Sequence, residues 1–202
     1  MDSLVTSPSQ QTLSSTLDQL VDCLSPHVND HAKWNDVRKL VLDDLNTIMY
    51  EGPHKGKSAL WLLANCDEGQ LLLNSDHVLR GKITVEGLNT VITLGPHQGV
   101  SVLWLLAYDD IGTVTLSVDA NLRRKITIEG LNTVVTSGVH QGVSALWLLA
   151  DSGLGQTILY KDVELLDKIT TSGLNTVIAS GDRKGSSALY SIASSTQGCL
   201  LY

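Results

Sequence analysis

The chain has 202 residues, of which 43% are hydrophobic and 17% charged, with 14 Lys and Arg against 21 Asp and Glu for a formal net charge of -7. That length can bury a core without metals or disulfides, and the acidic balance supplies no phosphate-neutralising surface for nucleic acid. No apolar stretch approaches the roughly 20 residues a membrane span needs; Ala59 to Ala64 (ALWLLA) is typical of the longest.

Residues 1–11 are rich in Ser, Gln and Pro and are expected to be disordered. Lacking a basic region and an apolar run, they do not read as a secretory signal, which implies a cytoplasmic chain. From residue 39 onward the chain repeats itself. Leu45-Asn46-Thr47, Leu88-Asn89-Thr90, Leu131-Asn132-Thr133 and Leu174-Asn175-Thr176 are each 43 residues apart, and the glycines at 56, 99, 142 and 185 keep the same step. Between 82–124 and 125–167, 25 of 43 positions are identical, so the periodicity outranks any local signal. The repeat units are 39–81, 82–124, 125–167 and 168–202. Residues 12–38 precede them, and Ser15 to Val21 falls in register with Ser58 to Ala64, with Asp18 and Gln19 at the places of Trp61 and Leu62. This segment is predicted to be a polar helical cap.

The second unit shows what each one should build. Thr84 can cap a helix with Glu86 in its first turn and an apolar face of Leu88, Val91 and Ile92; Gly95 and Pro96 should stop it. A second helix is expected from Ser101, with Val102, Leu103, Leu105, Leu106 and Ala107 apolar nearly all round and hence buried. Asp109, Asp110 and Gly112 suggest a turn, and Leu116, Val118 and Leu122 a third, weaker helix. The segment TVTLSV alternates like a strand, but its counterparts QLLLNS and QTILYK do not keep a period of two. The fold class predicted is all-α, an α-solenoid of four 43-residue helical repeats with an N-terminal helical cap.

Four sets of recurrent residues stand out. The aromatic row Trp61, Trp104, Trp147, Tyr190 either fills the seams between successive helices or lines a partner groove. The asparagines from Asn46 onward suit a ladder that bonds the neighbouring loop, with recognition as the alternative. The Gly-x-x-x-Gly loop carries His54 and Lys55, His97 and Gln98, His140 and Gln141, Arg183 and Lys184 at equivalent places. Repeat arrays present such loops on one face, so these eight are candidate partner-binding residues; bracing of each turn by its own His is the competing role. Cys23, Cys66 and Cys199 have no metal-ligand spacing and read as free buried thiols. Three loop histidines roughly 10 Å apart cannot share a metal, and no cofactor is expected. Gly52 to Ser58 ends in G-K-S but lacks the first glycine of a phosphate loop.

Gly99-Val100-Ser101-Val102-Leu103-Trp104-Leu105-Leu106-Ala107 and its three equivalents resemble the G-x-T-P-L-H-L-A-A start of an ankyrin repeat over about nine residues per unit, with Trp in place of His and a period of 43 rather than 33. The longer period is closer to that of armadillo or HEAT units. The ankyrin-like resemblance implies a non-enzymatic scaffold that binds another protein. It also implies a possible kinship with effectors that intracellular bacteria deliver into host cytoplasm. A self-assembling repeat protein, stacking through the apolar Gly198 to Tyr202 end, and a hydrolase using a loop His are the alternatives.

Overall fold

A computed structural model describes residues 8–23, 37–39, 41–50, 52–93, 95 and 97–195. The C-terminal residues 196–202, invoked above for self-assembly, and the side chains of Cys23 and Cys199 lie outside the described residues. The chain divides into two compact units, Met1–Gly87 and Leu88–Tyr202. The described residues are mostly helical and include no strand longer than an isolated bridge.

In the first unit the helices are α1 Pro8–Cys23, α2 Ala59–Ala64, α3 Asp67–Ser75 and α4 His77–Lys82; α5 Val85–Asn89 crosses the division. The second holds α6 Val102–Tyr108, α7 Asp110–Val118, α8 Ala120–Arg124, α9 Ile128–Asn132, α10 Ala145–Asp151, α11 Gly153–Lys161, α12 Val163–Leu166, α13 Thr171–Asn175 and α14 Ala188–Ser194. Since α1 starts at Pro8, residues 8–11 are helical rather than disordered. Its Leu17 and Leu20 are fully buried, like Leu60 and Leu63 at the same register in α2, against which α1 packs, while Asp18 is exposed.

The second and third periods each hold four helical segments, not two or three. The first is a single turn and a half, capped by threonine as expected: the Gly87, Gly130 and Gly173 N–H groups each donate 2.9 Å to Thr84, Thr127 and Thr170 Oγ1. It ends at the asparagine rather than at Gly95. Val91 and Ile92 are extended, and Ile92 N–H donates to Val100 O while Gly99 N–H donates to Ile92 O, a miniature hairpin closed around the loop. The reason is conformational. Both loop glycines have positive φ, +84° at Gly95 and +88° at Gly99, so the chain reverses within five residues instead of continuing a helix.

The central helix of each period starts on a serine. Ser58, Ser101, Ser144 and Ser187 Oγ accept from the N–H three residues on at 3.1, 3.1, 3.1 and 3.2 Å. Such a cap contributes about 0.5–2 kcal/mol. All six residues of α2 are buried, as the all-round apolar sequence requires. Gly112 marks no turn. It sits inside α7, where an added Cβ would collide with Leu106 O of α6, so its missing side chain lets the two helices close on each other. TVTLSV is helical, and the expected third helix is two, broken at Asp119, whose carboxylate caps α8 through Leu122 N–H at 3.0 Å.

Within residues 88–202, equivalent helices of successive periods pack side by side: α6 on α10, α10 on α14, α7 on α11, α8 on α12.

Candidate functional site

The loops follow one design. In residues 138–143, Gln141 N–H donates to Gly138 O at 3.2 Å and Val143 N–H to His140 O at 3.0 Å, so two turns in tandem push residue 141 outward. Lys55, Gln98, Gln141 and Lys184 occupy this tip and all four are exposed. In residues 88–202 adjacent loops touch: Ala179 N–H donates to Gln141 O at 3.2 Å, and a Cβ on Gly99 would meet Val135 Cα at 2.8 Å.

The residue before each tip does something else. His54 Nε2 lies 2.8 Å from Asp18 Oδ1 with its side chain only 13% exposed. His140 lies 5.1 Å from the Trp104 ring and 5.3 Å from the Tyr108 ring. Asp18 and Trp104 share one register position, so in both compact units this His reaches back 36 residues to the central helix of the preceding period. Arg183 uses the same route, with its guanidinium 3.3 Å from Asp151, which also accepts from Ser191 Oγ at 3.2 Å. His97 is half-buried. His54 and His140 therefore brace one period on another, and the tip residues are left exposed.

The aromatic row divides. Trp61, Trp104 and Trp147 are 3, 4 and 6% exposed and belong to the core, whereas Tyr190 is 65% exposed. Trp104 donates its indole N–H to Val143 O at 3.2 Å and stacks on Tyr108 at 5.0 Å, while Lys57 Nζ sits 5.0 Å above the Trp61 ring. The asparagines form the expected ladder. Asn46, Asn89 and Asn132 each donate 2.8 Å to Lys82, Lys125 and Lys168 O, and accept from Thr84, Thr127 and Thr170 N–H at 3.0, 3.0 and 3.2 Å. Asn175 bonds back to Thr171 O in its own helix.

Beside the third and fourth loops a cleft of about 600 Å³ opens, lined among others by Tyr108, Val139, His140, Trp147, Asp151 and Arg183. Of these, Tyr108, Val139 and Asp151 were not singled out from the sequence. The signal was available: each breaks the register, Tyr108 and Asp151 standing where the first unit has Asn65, and Val139 where the first two have Pro53 and Pro96.

Among the described residues no group of three His, Cys, Asp or Glu could hold a metal ion. Cys66 is a free, partly buried thiol; burial raises its pKa, the neighbouring Glu68 and Asp67 add to this, and a hydrogen bond with the Gly69 backbone opposes it. No helix in the described residues is long and apolar enough to cross a membrane. No protein-family model, curated protein or solved structure matches the chain.

Proposed function

We propose that this chain is an ankyrin-like α-solenoid of four 43-residue repeats that binds another protein rather than catalysing a reaction, acting as a scaffold or adaptor in the cytoplasm, including a host cytoplasm if it is a delivered effector. The observation that carries this reading is the division of labour in the loops. The frame residues (Asn rungs, Ser caps, bracing His54 and His140) are spent on internal contacts. The side chains of Lys55, Gln98, Gln141 and Lys184 recur at exposed tips and take no part in these contacts. Within residues 88–202, Gln98, Gln141 and Lys184 recur every 43 residues at the tips of loops that touch, which suits an extended partner with energy spread over several rungs.

The test changes Gln98, Gln141 and Lys184 together to Ala. Capture of the wild-type partner should be lost while the melting temperature hardly moves, because exposed substitutions are usually within about 0.5 kcal/mol each. Capture unaffected by the triple change would overturn the reading. Self-assembly has one observation in its favour: Tyr190 and Val177, counterparts of the shielded Trp147 and half-buried Val134, are exposed on the last repeat. A monomer by light scattering at high concentration would rule it out.

A further inference from the structure

The cleft beside the third and fourth loops is where a regular chain departs from its own pattern. Position 108 is Tyr where its counterparts are Asn65, Asp151 and Ser194; position 139 is Val where they are Pro53, Pro96 and Asp182; position 183 is Arg where the other three are His. Burial does not dictate the first two of these choices. Val139 is 77% and Tyr108 56% exposed, and both line the cleft.

The chemistry on its walls has one sign left over. Asp151 is held by Arg183 and Ser191, but the carboxylates of Asp110 and Asp182, which also line the cleft, have no ion-pair partner among the described residues. Tyr108 turns one face to Trp104, in a nearly parallel stack of 13° between planes. Trp147, which lines the same cleft, keeps an indole N–H without an acceptor among the described residues, whereas the equivalent group of Trp104 has Val143 O; this donor suits a backbone carbonyl of a bound segment, not its guanidinium. A ring and unpaired carboxylates lining one cleft with exposed apolar surface make an environment a guanidinium favours: it stacks on an aromatic face, forks to carboxylates, and lays its alkyl stem on apolar groups. The chain already uses a cation over this row, with Lys57 above Trp61.

We propose that this cleft seats an arginine side chain from a basic segment of the partner protein, with Tyr108 as the stacking surface and Asp110 and Asp182 as the charge partners. The proposal rests on the protein-binding reading above and gives the partner a chemistry: a basic, extended segment, complementary to a chain of net charge -7.

The experiment titrates the full chain with a capped peptide of four Gly-Arg dipeptides, following tryptophan fluorescence, beside the same peptide with citrulline for arginine. The arginine peptide should bind and the citrulline peptide should not. Asp110→Asn with Asp182→Asn, or Tyr108→Ala alone, should weaken binding by about fivefold or more, the scale of two exposed charge pairs. Asp43→Asn with Asp44→Asn, two exposed acids elsewhere, should leave it unchanged. Wild-type protein that ignores the arginine peptide overturns the proposal. So does an Asp110/Asp182 variant that binds like wild type, or an equal loss in the Asp43/Asp44 control, which would mean unspecific attraction. Equal melting temperatures of the variants exclude misfolding as the cause of a loss. A failed peptide titration, with partner capture still lost on changing the loop tips, overturns the cleft alone. Capture untouched by the tip changes overturns the loop reading and leaves the peptide to decide the cleft.

Discussion

At the scale of single residues, the same register position has different energetic weight according to what covers it. Trp104 is enclosed by α10, stacked on Tyr108 and hydrogen-bonded to Val143, so Trp104→Ala should cost about 3–5 kcal/mol as a buried large-to-small change. Tyr190, its exposed counterpart in the last repeat, should cost clearly less, and urea titration of the two variants compares them directly. Equal losses would mean that Trp104 is not packed as described. Asp162 offers a second, pH-resolved test. Burial pushes its pKa up, but the hydrogen bond from Arg123 Nε at 2.5 Å, the Leu165 N–H and the charges of Arg123 and Lys168 outweigh that, so its net pKa lies below the ordinary carboxylate value. A depressed pKa means that the folded state favours the ionised form. The stabilisation is thus present above the unfolded-state pKa of about 3.9 and is lost as pH falls through the lower folded value. Asp162→Asn keeps an oxygen to cap α12 and removes the charge; its melting temperature should fall below wild type at pH 7, and the gap should close as pH falls below the ordinary carboxylate value. A gap independent of pH would show that the charge contributes nothing.

At the scale of elements, the asparagine ladder ties the start of one period to the end of the preceding short helix, and its energy depends on whether there is a next period to bond. Asn132→Ala removes an amide that donates to Lys168 O and accepts from Thr170 N–H, leaving a part-buried carbonyl and amide without it, a loss of about 1–3 kcal/mol. Among the described residues Asn175 bonds within its own helix, and its replacement should change stability by no more than about 0.5 kcal/mol. Chemical denaturation of both variants checks the contrast. This ladder was legible in the sequence because a polar residue repeated without exception in an apolar setting must have a repeated partner. The serine and threonine caps were legible for a similar local reason. The helix boundaries were not: Val91 and Ile92 fit a helical face by spacing, and only the positive φ of the two flanking glycines, together with pairing to Val100, turns them into an extended segment. Gly112 was mistaken for a turn because a glycine needed for close helix approach looks the same, in sequence, as one needed for chain reversal. The bracing role of His54 and His140 was named as one of two options, but what they brace is the preceding period rather than their own turn, and a contact across 36 residues leaves no local trace.

At the scale of the whole molecule, the contacts described within residues 88–202 are between neighbouring periods: each rung, brace and helix pair joins a period to the next at a fixed sequence offset. If that nearest-neighbour scheme governs stability, the chain should tolerate loss of a complete period and not of an arbitrary length. Excising residues 125–167 joins Arg124 to Lys168, and the partners of the asparagine rung and of the central helix then reappear in register. Asn89, which bonds Lys125 O and Thr127 N–H, would find Lys168 O and Thr170 N–H at the same offset, and α6 would face α14 as it faced α10. Excising 125–164 instead removes all but the last three residues of a period and puts each subsequent rung out of step with the asparagine before it. The first deletion should give a protein with the per-residue helical ellipticity of the full chain and a cooperative thermal transition. The second should lose both. Folding of both deletions alike would show that stability does not run through the offset contacts, and collapse of both would show that the third period carries something its neighbours cannot replace.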